Sequence, residues 1–146
     1  MILLFCLVLG SSAFLATGVA VIPGTCWYSQ IRFPRVELNT GGDYSGTTGV
    51  FTCRVPGMYW FSATIMKLND VDVDLMTYDI LLNSNYIIRL HSNPVGDNDK
   101  AAYQMTGSVA SHLTRGDRVS AYCMNADKID NTHHTHFSGM LVRPYV

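Results

Sequence analysis

An all-β sandwich is the fold class this sequence predicts, on three observations. Apolar residues alternate with polar ones at a period of two, as a half-buried strand requires. Turn-forming clusters interrupt these runs every 10 to 15 residues or so. No stretch carries a sustained apolar repeat at helical spacing, so nothing is left to supply the crossover helices of a parallel sheet. Short strands at this rhythm point to a β-sandwich or jelly roll.

The elements follow in order. Over Met58 to Ile65, the side chains of Tyr59, Phe61, Ala63 and Ile65 share one face. In Val71 to Leu75 the valines and Leu75 face one way and Asp72 and Asp74 the other. Val119, Ala121 and Cys123 share a face, with Ser120, Tyr122 and Met124 opposite, and Phe137, Gly139 and Leu141 form a last set. The turns between runs fall at Thr40–Asp43, Ser45–Gly49, Pro56–Gly57, Asn69–Asp70, Asn83–Asn85, Asn93–Asp99 and Arg115–Asp117. Pro56 and Gly57 suit a tight turn between two strands, and Gly116 suits a position of unusual backbone angle.

At 146 residues the chain fits one domain. Ten basic residues face eleven acidic ones, with no basic patch, which excludes an ordinary nucleic-acid binder. The first charged residue is Arg32. The apolar run Met1 to Gly10, followed by the small residues Ser11, Ser12 and Ala13, reads as a signal peptide over residues 1–13, with a globular domain over 14–146. The run is too short for a transmembrane helix of about 20 residues, so a secreted product with no membrane insertion is expected. Secretion would remove Cys6 and leave three cysteines, an odd count. A Cys53–Cys123 disulfide with Cys26 left over is the first expectation, and no cysteine pair has zinc-ligand spacing.

Phe33, Asn39, Tyr44, Phe51, Gly57, Tyr59 and Phe61 fall at the spacing of the C1q-domain signature, and Tyr44 to Phe61 resembles that family's hallmark stretch. Ala63 departs, standing where Phe or Tyr is usual. Gly107 to Val119 and His136 to Val142 resemble two later family blocks, and Ala13 to Ala16 its opening strand. The resemblance implies a jelly-roll β-sandwich of the C1q/TNF type that assembles as a homotrimer. No Gly-X-Y collagen repeat precedes it, so the resemblance is to a secreted, head-only member. Such members imply innate-immune pattern recognition of microbial or cell-surface carbohydrate, with trimer avidity raising weak affinities. The alternative is an extracellular signalling or matrix trimer engaging a protein receptor.

The candidate ligand-binding residues are Asp97, Asp99, His133, His134 and His136. In Thr132 to His136, alternation on a strand would put His134 and His136 on one face, where two imidazoles suit zinc, copper or an acid sensor; the other reading of the segment is a solvated loop leading into the last strand. Calcium is the cofactor the family resemblance raises. Some family members hold it with an Asp directly before a Gln. Here Tyr103 precedes Gln104, and Asp97 and Asp99 would have to serve as oxygen ligands. Asp70, Asp72 and Asp74 do not make an EF-hand, because Leu75 and Leu81 stand where Gly and Glu are needed. Arg115–Asp117 reads as a turn rather than an integrin tripeptide. Tyr28, Trp27 and Trp60 are aromatic candidates for a sugar platform, against packing. There is no Gly-x-Ser-x-Gly, phosphate loop or His-Glu-x-x-His, and no enzyme is expected.

Overall fold

The computed structural model describes residues 10–21, 28–70, 76–92 and 100–145. The leader-like run before Gly10, Cys26 and Trp27, the Val71–Leu75 alternation, and Asp97 and Asp99 lie outside the described residues.

The described strands are β1 (Ala13–Thr17), β2 (Ala20–Val21), β3 (Tyr28–Arg32), β4 (Arg35–Thr40), β5 (Tyr44–Ser45), β6 (Val50–Thr52), β7 (Gly57–Lys67), β8 (Met76–Leu82), β9 (Asn85–Ser92), β10 (Tyr103–Leu113), β11 (Arg118–Met124) and β12 (His136–Pro144). β2 and β5 span two residues each, and the other ten carry the sandwich. One sheet runs β10-β7-β12-β1-β4. In the other, β11 is central: β8 and then β9 flank it on one side, and β3 and β6 divide its other edge. All the pairings are antiparallel. The all-β jelly-roll sandwich expected from the period-two runs is the observed fold.

The alternation does the sorting. Along β7, Tyr59, Phe61, Ala63 and Ile65 are buried between the sheets while Trp60 points outward. Along β11 the inward set is Val119, Ala121 and Cys123. Phe14, Phe33, Phe51, Phe61 and Phe137 fill the centre. Phe14 stacks on Tyr44 with centroids 4.6 Å apart and meets Phe137 edge-on at 5.0 Å. Tyr44 needs a partner for its buried hydroxyl and finds the Phe33 backbone, donating to the carbonyl at 3.3 Å and accepting from the N–H at 3.2 Å. Burial pushes that hydroxyl up to about 12, so it stays protonated and able to donate. Tyr78 of the facing sheet is buried beside Ala63, its hydroxyl donating to the Ala63 carbonyl at 2.5 Å.

Two turns differ in kind. Gly116 sits at φ +91° in the Arg115–Asp117 turn, its N–H donating to the Cys53 carbonyl. Gly57 is not in a turn; it is the first residue of β7, where an added Cβ would lie 2.3 Å from the Arg143 carbonyl of β12. Ser11 to Ala13, read from the sequence as the end of a leader, are integrated into the sandwich. Ser12 is buried, its hydroxyl donates to Asp43 at 2.6 Å, and its carbonyl accepts the Leu141 N–H at 2.9 Å.

The expected Cys53–Cys123 disulfide is absent: both thiols are free and buried. The Cys53 N–H donates to the Asp117 carbonyl at 2.7 Å, which sets Cys53 level with the start of β11. Cys123 lies six residues farther along, roughly 20 Å away at the rise of a β-strand, well beyond the ~7 Å Cα separation a bridge tolerates. Burial pushes both thiols up, so they are protonated at neutral pH. Native protein treated with iodoacetamide is therefore expected to show neither Cys53 nor Cys123 alkylated by mass spectrometry, and both alkylated in denaturant. Fast native labelling of either would contradict this burial.

Candidate functional site

The sandwich presents two outer faces of different character. On the five-stranded sheet, strand register lines up rows of side chains. Thr40, Ala13, Met140, Trp60 and Ala110 form one row; Leu38, Leu15, Ser138, Ser62 and Ser108 form the next; Thr17, His136, Thr64 and Thr106 form a third. Leu15, Leu38, Trp60 and Met140 are between 36% and 52% exposed, an apolar patch on an otherwise hydroxylated face. Ser108 donates to Ser62 at 2.9 Å, and the Thr64 and Thr106 hydroxyls meet at 2.8 Å, so the hydroxyl rows are tied down.

The histidine segment is the loop leading into the last strand, not a strand that would pair His134 with His136. β12 begins at His136, and residues 132–135 form a turn pinned by Thr135. Thr135 is wholly buried; its carbonyl accepts the Gly18 N–H at 2.9 Å and its hydroxyl accepts the Met66 N–H at 3.2 Å. The three imidazoles therefore diverge. His133 Nε2 lies 2.8 Å from Glu37 Oε1, His134 Nδ1 lies 2.8 Å from the Thr132 hydroxyl, and His136 Nδ1 lies 3.1 Å from the His133 carbonyl. Among the described residues no three His, Cys, Asp or Glu side chains converge on a point that could hold a metal. Near Tyr103, the position of the expected calcium Asp, register places Lys67. Its buried ammonium donates to the Ala101 carbonyl at 2.8 Å and lies 5.7 Å from the Tyr103 ring centroid, an arrangement that repels a second cation there.

On the seven-stranded sheet one outward row runs Arg89, Asp79, Tyr122, Gln30. Asp79 is completely buried. It accepts both Arg89 Nε at 2.9 Å and Nη2 at 3.3 Å, and it also accepts the Tyr28 hydroxyl. Burial first, and the Asp79 carboxylate beside it, hold the Tyr28 hydroxyl well above its usual range. Tyr28 stacks on Tyr122 at 5.3 Å. Asp79 thus ties β3, β8 and β9 together. Asp79→Ala is expected to lower the melting temperature by several degrees, since it orphans the Tyr28 hydroxyl and frees Arg89; an unchanged melt would show the network to be ornamental.

Next to this row, a cleft of about 420 Å3 is lined by Gln30, Asn83, Ser84, Arg118, Ser120 and Tyr122. A second, of about 570 Å3, adjoins it and shares Arg118. Asn83, which lines the cleft, is tied to the neighbouring Thr114–Asp117 turn. Asp117 Oδ2 accepts the Thr114 N–H at 2.8 Å and Oδ1 accepts Asn83 Nδ2 at 2.8 Å. The Thr114 N–H, then Asn83, hold this carboxyl below the usual range. A depressed carboxyl contributes stability that is present above its unfolded pKa, about 3.9, and lost as pH falls through the folded one. Asp117→Asn is expected to flatten the acid limb of the stability curve below about pH 4 without changing its neutral shape; an unaltered acid limb would contradict this.

Sequence reading missed Arg118, Ser84, Gln30 and Tyr122 as site residues, and placed candidates instead at the histidine turn and at Asp97 and Asp99. Two signals were available. Asp79 sits alone in the apolar run Met76–Leu82, and Ser84 follows Asn83 where a two-residue hairpin prefers Gly. Of the aromatic candidates, Tyr28 borders the cleft through Tyr122, whereas Trp60 lies on the opposite sheet.

Among the described residues no helix is long and apolar enough to cross a membrane. Similarity to known proteins agrees with the fold. Complement C1q tumor necrosis factor-related protein 2 of Homo sapiens is 33% identical over 89 residues, covering 61% of this chain and 28% of that protein, and the Mus musculus protein matches to the same extent. This chain therefore corresponds to well under half the length of those relatives. The globular domain of zebrafish complement 1qA superposes with a TM-score of 0.68 at 16% identity, over 93% of this chain and 99% of that one. Murine APRIL superposes with a TM-score of 0.70 at 13% identity, over 90% and 99%. At these identities the two structures speak for the fold alone. The C1q domain family itself matches over residues 13–142, from the first residue of β1 into β12. With Phe33, Tyr44, Phe51, Tyr59 and Phe61 all buried in the shared core, the chain belongs to the C1q domain family.

Proposed function

We propose that this chain is a secreted ligand-binding protein that works as a homotrimer, recognising carbohydrate in the manner of an innate-immune pattern-recognition lectin. The observation that carries this reading is the division of labour between the two outer faces. The five-stranded sheet offers the apolar patch of Leu15, Leu38, Trp60 and Met140, which a second and third copy of the chain would cover. The seven-stranded sheet offers two clefts, the one beside Ser84 and Arg118 polar, and among the described residues Tyr86 is its one exposed large apolar side chain, which suits this face to meet solvent-borne ligands. Three copies of one weak site on a rigid trimer multiply affinity for a repetitive surface. Secretion rests on the apolar start of the sequence, and recognition rather than catalysis rests on family membership.

The reading is tested by binding the purified protein to a panel of microbial polysaccharides and host glycans. Saturable binding that weakens strongly when the trimer is dissociated supports it; no binding at micromolar protein contradicts it. Receptor engagement is the second reading. Tyr86 supports it, being half exposed with the Arg89 guanidinium 4.2 Å above its ring, a pairing common at protein interface hot spots. A saturable nanomolar cell-surface site with no glycan preference would favour it.

A further inference from the structure

We propose that the cleft between Gln30, the Asn83–Ser84 hairpin tip and the Arg118–Tyr122 segment binds a carboxylated sugar, with Arg118 taking the carboxylate. This rests on the ligand-binding reading above and gives it a place and a chemical class.

Three observations carry it. The first is which polar groups are occupied. Gln30 is fixed, its Nε2 donating to the Thr48 carbonyl at 2.8 Å and its Oε1 accepting the Tyr122 hydroxyl at 3.4 Å. Asn83 is fixed too, accepting the Arg118 backbone N–H at 2.9 Å and donating to Asp117. Among the described residues the Arg118 guanidinium and the Ser84 and Ser120 hydroxyls have no protein partner, and all three line the cleft. A rigid frame thus holds one cation and two hydroxyls ready for something else.

The second is backbone strain. Asn83 at φ +49° and Ser84 at φ +70° make a two-residue hairpin turn with both residues left-handed. Glycine is the favoured second residue of such a turn, and an L side chain there is disfavoured. Serine holds the strained position and sets a hydroxyl on the rim of the cleft.

The third is charge. No carboxylate lines the cleft. Asp117, adjacent in sequence, has both oxygens engaged, Oδ2 by the Thr114 N–H of its own turn and Oδ1 by the Asn83 side chain, and Asp79 is buried under Arg89. The cleft therefore presents one uncompensated charge as a planar fork, which matches a planar carboxylate in two parallel hydrogen bonds. A phosphate or a heavily sulfated chain would call for more cations than one. The hydroxyls of Ser84 and Ser120 and the ring of Tyr122, braced on Tyr28, suit the hydroxyls and flat face of a sugar ring. The adjoining cleft, which Arg118 also lines, gives a longer saccharide a track past Thr48 and Thr52 to Asp43 and Arg54, whose charges offset each other in an ion pair at 3.0 Å.

The test is titration calorimetry of the full chain with four probes: an oligogalacturonide and sialyllactose as carboxylated sugars, lactose as a neutral one, and a sulfated galactan. The expected result is that a carboxylated probe binds about tenfold or more tighter than lactose, and that Arg118→Gln removes that preference while leaving the melt unchanged. Ser84→Gly is expected to raise the melting temperature by a few degrees and to weaken binding severalfold. Carboxylated binding that survives Arg118→Gln, or equal binding of lactose, overturns the proposal while leaving the ligand-binding reading intact. So does a Ser84→Gly protein that is stabilised with unchanged affinity. A sulfated galactan that binds best overturns the choice of carboxylate. Failure of a folded trimer to bind any glycan, in this set or in the broader panel, overturns both.

Discussion

Phe61→Ala is expected to remove about 3–5 kcal/mol of folding stability. Phe61 is completely buried and sits among four other rings. Its centroid lies 5.3 Å from Phe51, 5.9 Å from Tyr59, 6.3 Å from Phe137 and 6.4 Å from Phe14. Those rings come from β1, β6, β7 and β12 and so from both sheets, and they cannot collapse on the void without repacking the interface between the sheets. Since a domain is stable by only about 5–15 kcal/mol in all, the loss would leave much of the protein marginal. Urea denaturation measures it. A loss under about 1 kcal/mol would show that the aromatic cluster is not the centre of the core.

The second large effect concerns assembly. Trp60→Asp is expected to convert the trimer to folded monomers. Trp60 is directly opposite Met140 in the strand register and is the largest side chain of the patch, which runs from it on β7 across β12 and β1 to Leu38 on β4, so in the proposed trimer it is covered. Truncating an interface tryptophan costs about 2 kcal/mol or more where it is a hot spot, and a buried unpaired carboxylate adds to that. In a three-fold assembly every interface carries the loss. Because Trp60 is half exposed and points away from the core, the monomer's own melt should change little. Sedimentation at micromolar concentration distinguishes the cases; an intact trimer would put the assembly surface elsewhere.

What the sequence revealed and what it hid follow from how far apart the interacting residues are along the chain. Period-two alternation is local, so β7, β11 and β12 could be read directly, with Tyr59, Phe61, Val119, Ala121 and Phe137 correctly placed inside. Gly116 was legible because a turn glycine announces itself. The cysteine pairing failed because count and polarity say nothing of register: Cys53 lies level with one end of β11 and Cys123 sits near the other. The histidine segment allowed two readings, strand or loop, and the loop is the one observed. Alternation continues upstream of His136 in the sequence, but buried Thr135 bonds to Gly18 and Met66 and bends the chain away. The cleft as a whole was not readable. Gln30, Ser84 and Arg118 are brought together only by β3 and β8 pairing on opposite edges of β11, and no short motif encodes that. Its local traces are the lone Asp79 in the run Met76–Leu82 and the serine in the hairpin turn.

The most direct test of the account is the solution mass of the native protein by light scattering at micromolar concentration. Three protomer masses are expected, with the buried thiols of Cys53 and Cys123 contributing no bridge between protomers. A stable monomer would contradict the account: it would leave the patch of Leu15, Leu38, Trp60 and Met140 uncovered in the native state and remove the avidity on which recognition of a patterned surface depends.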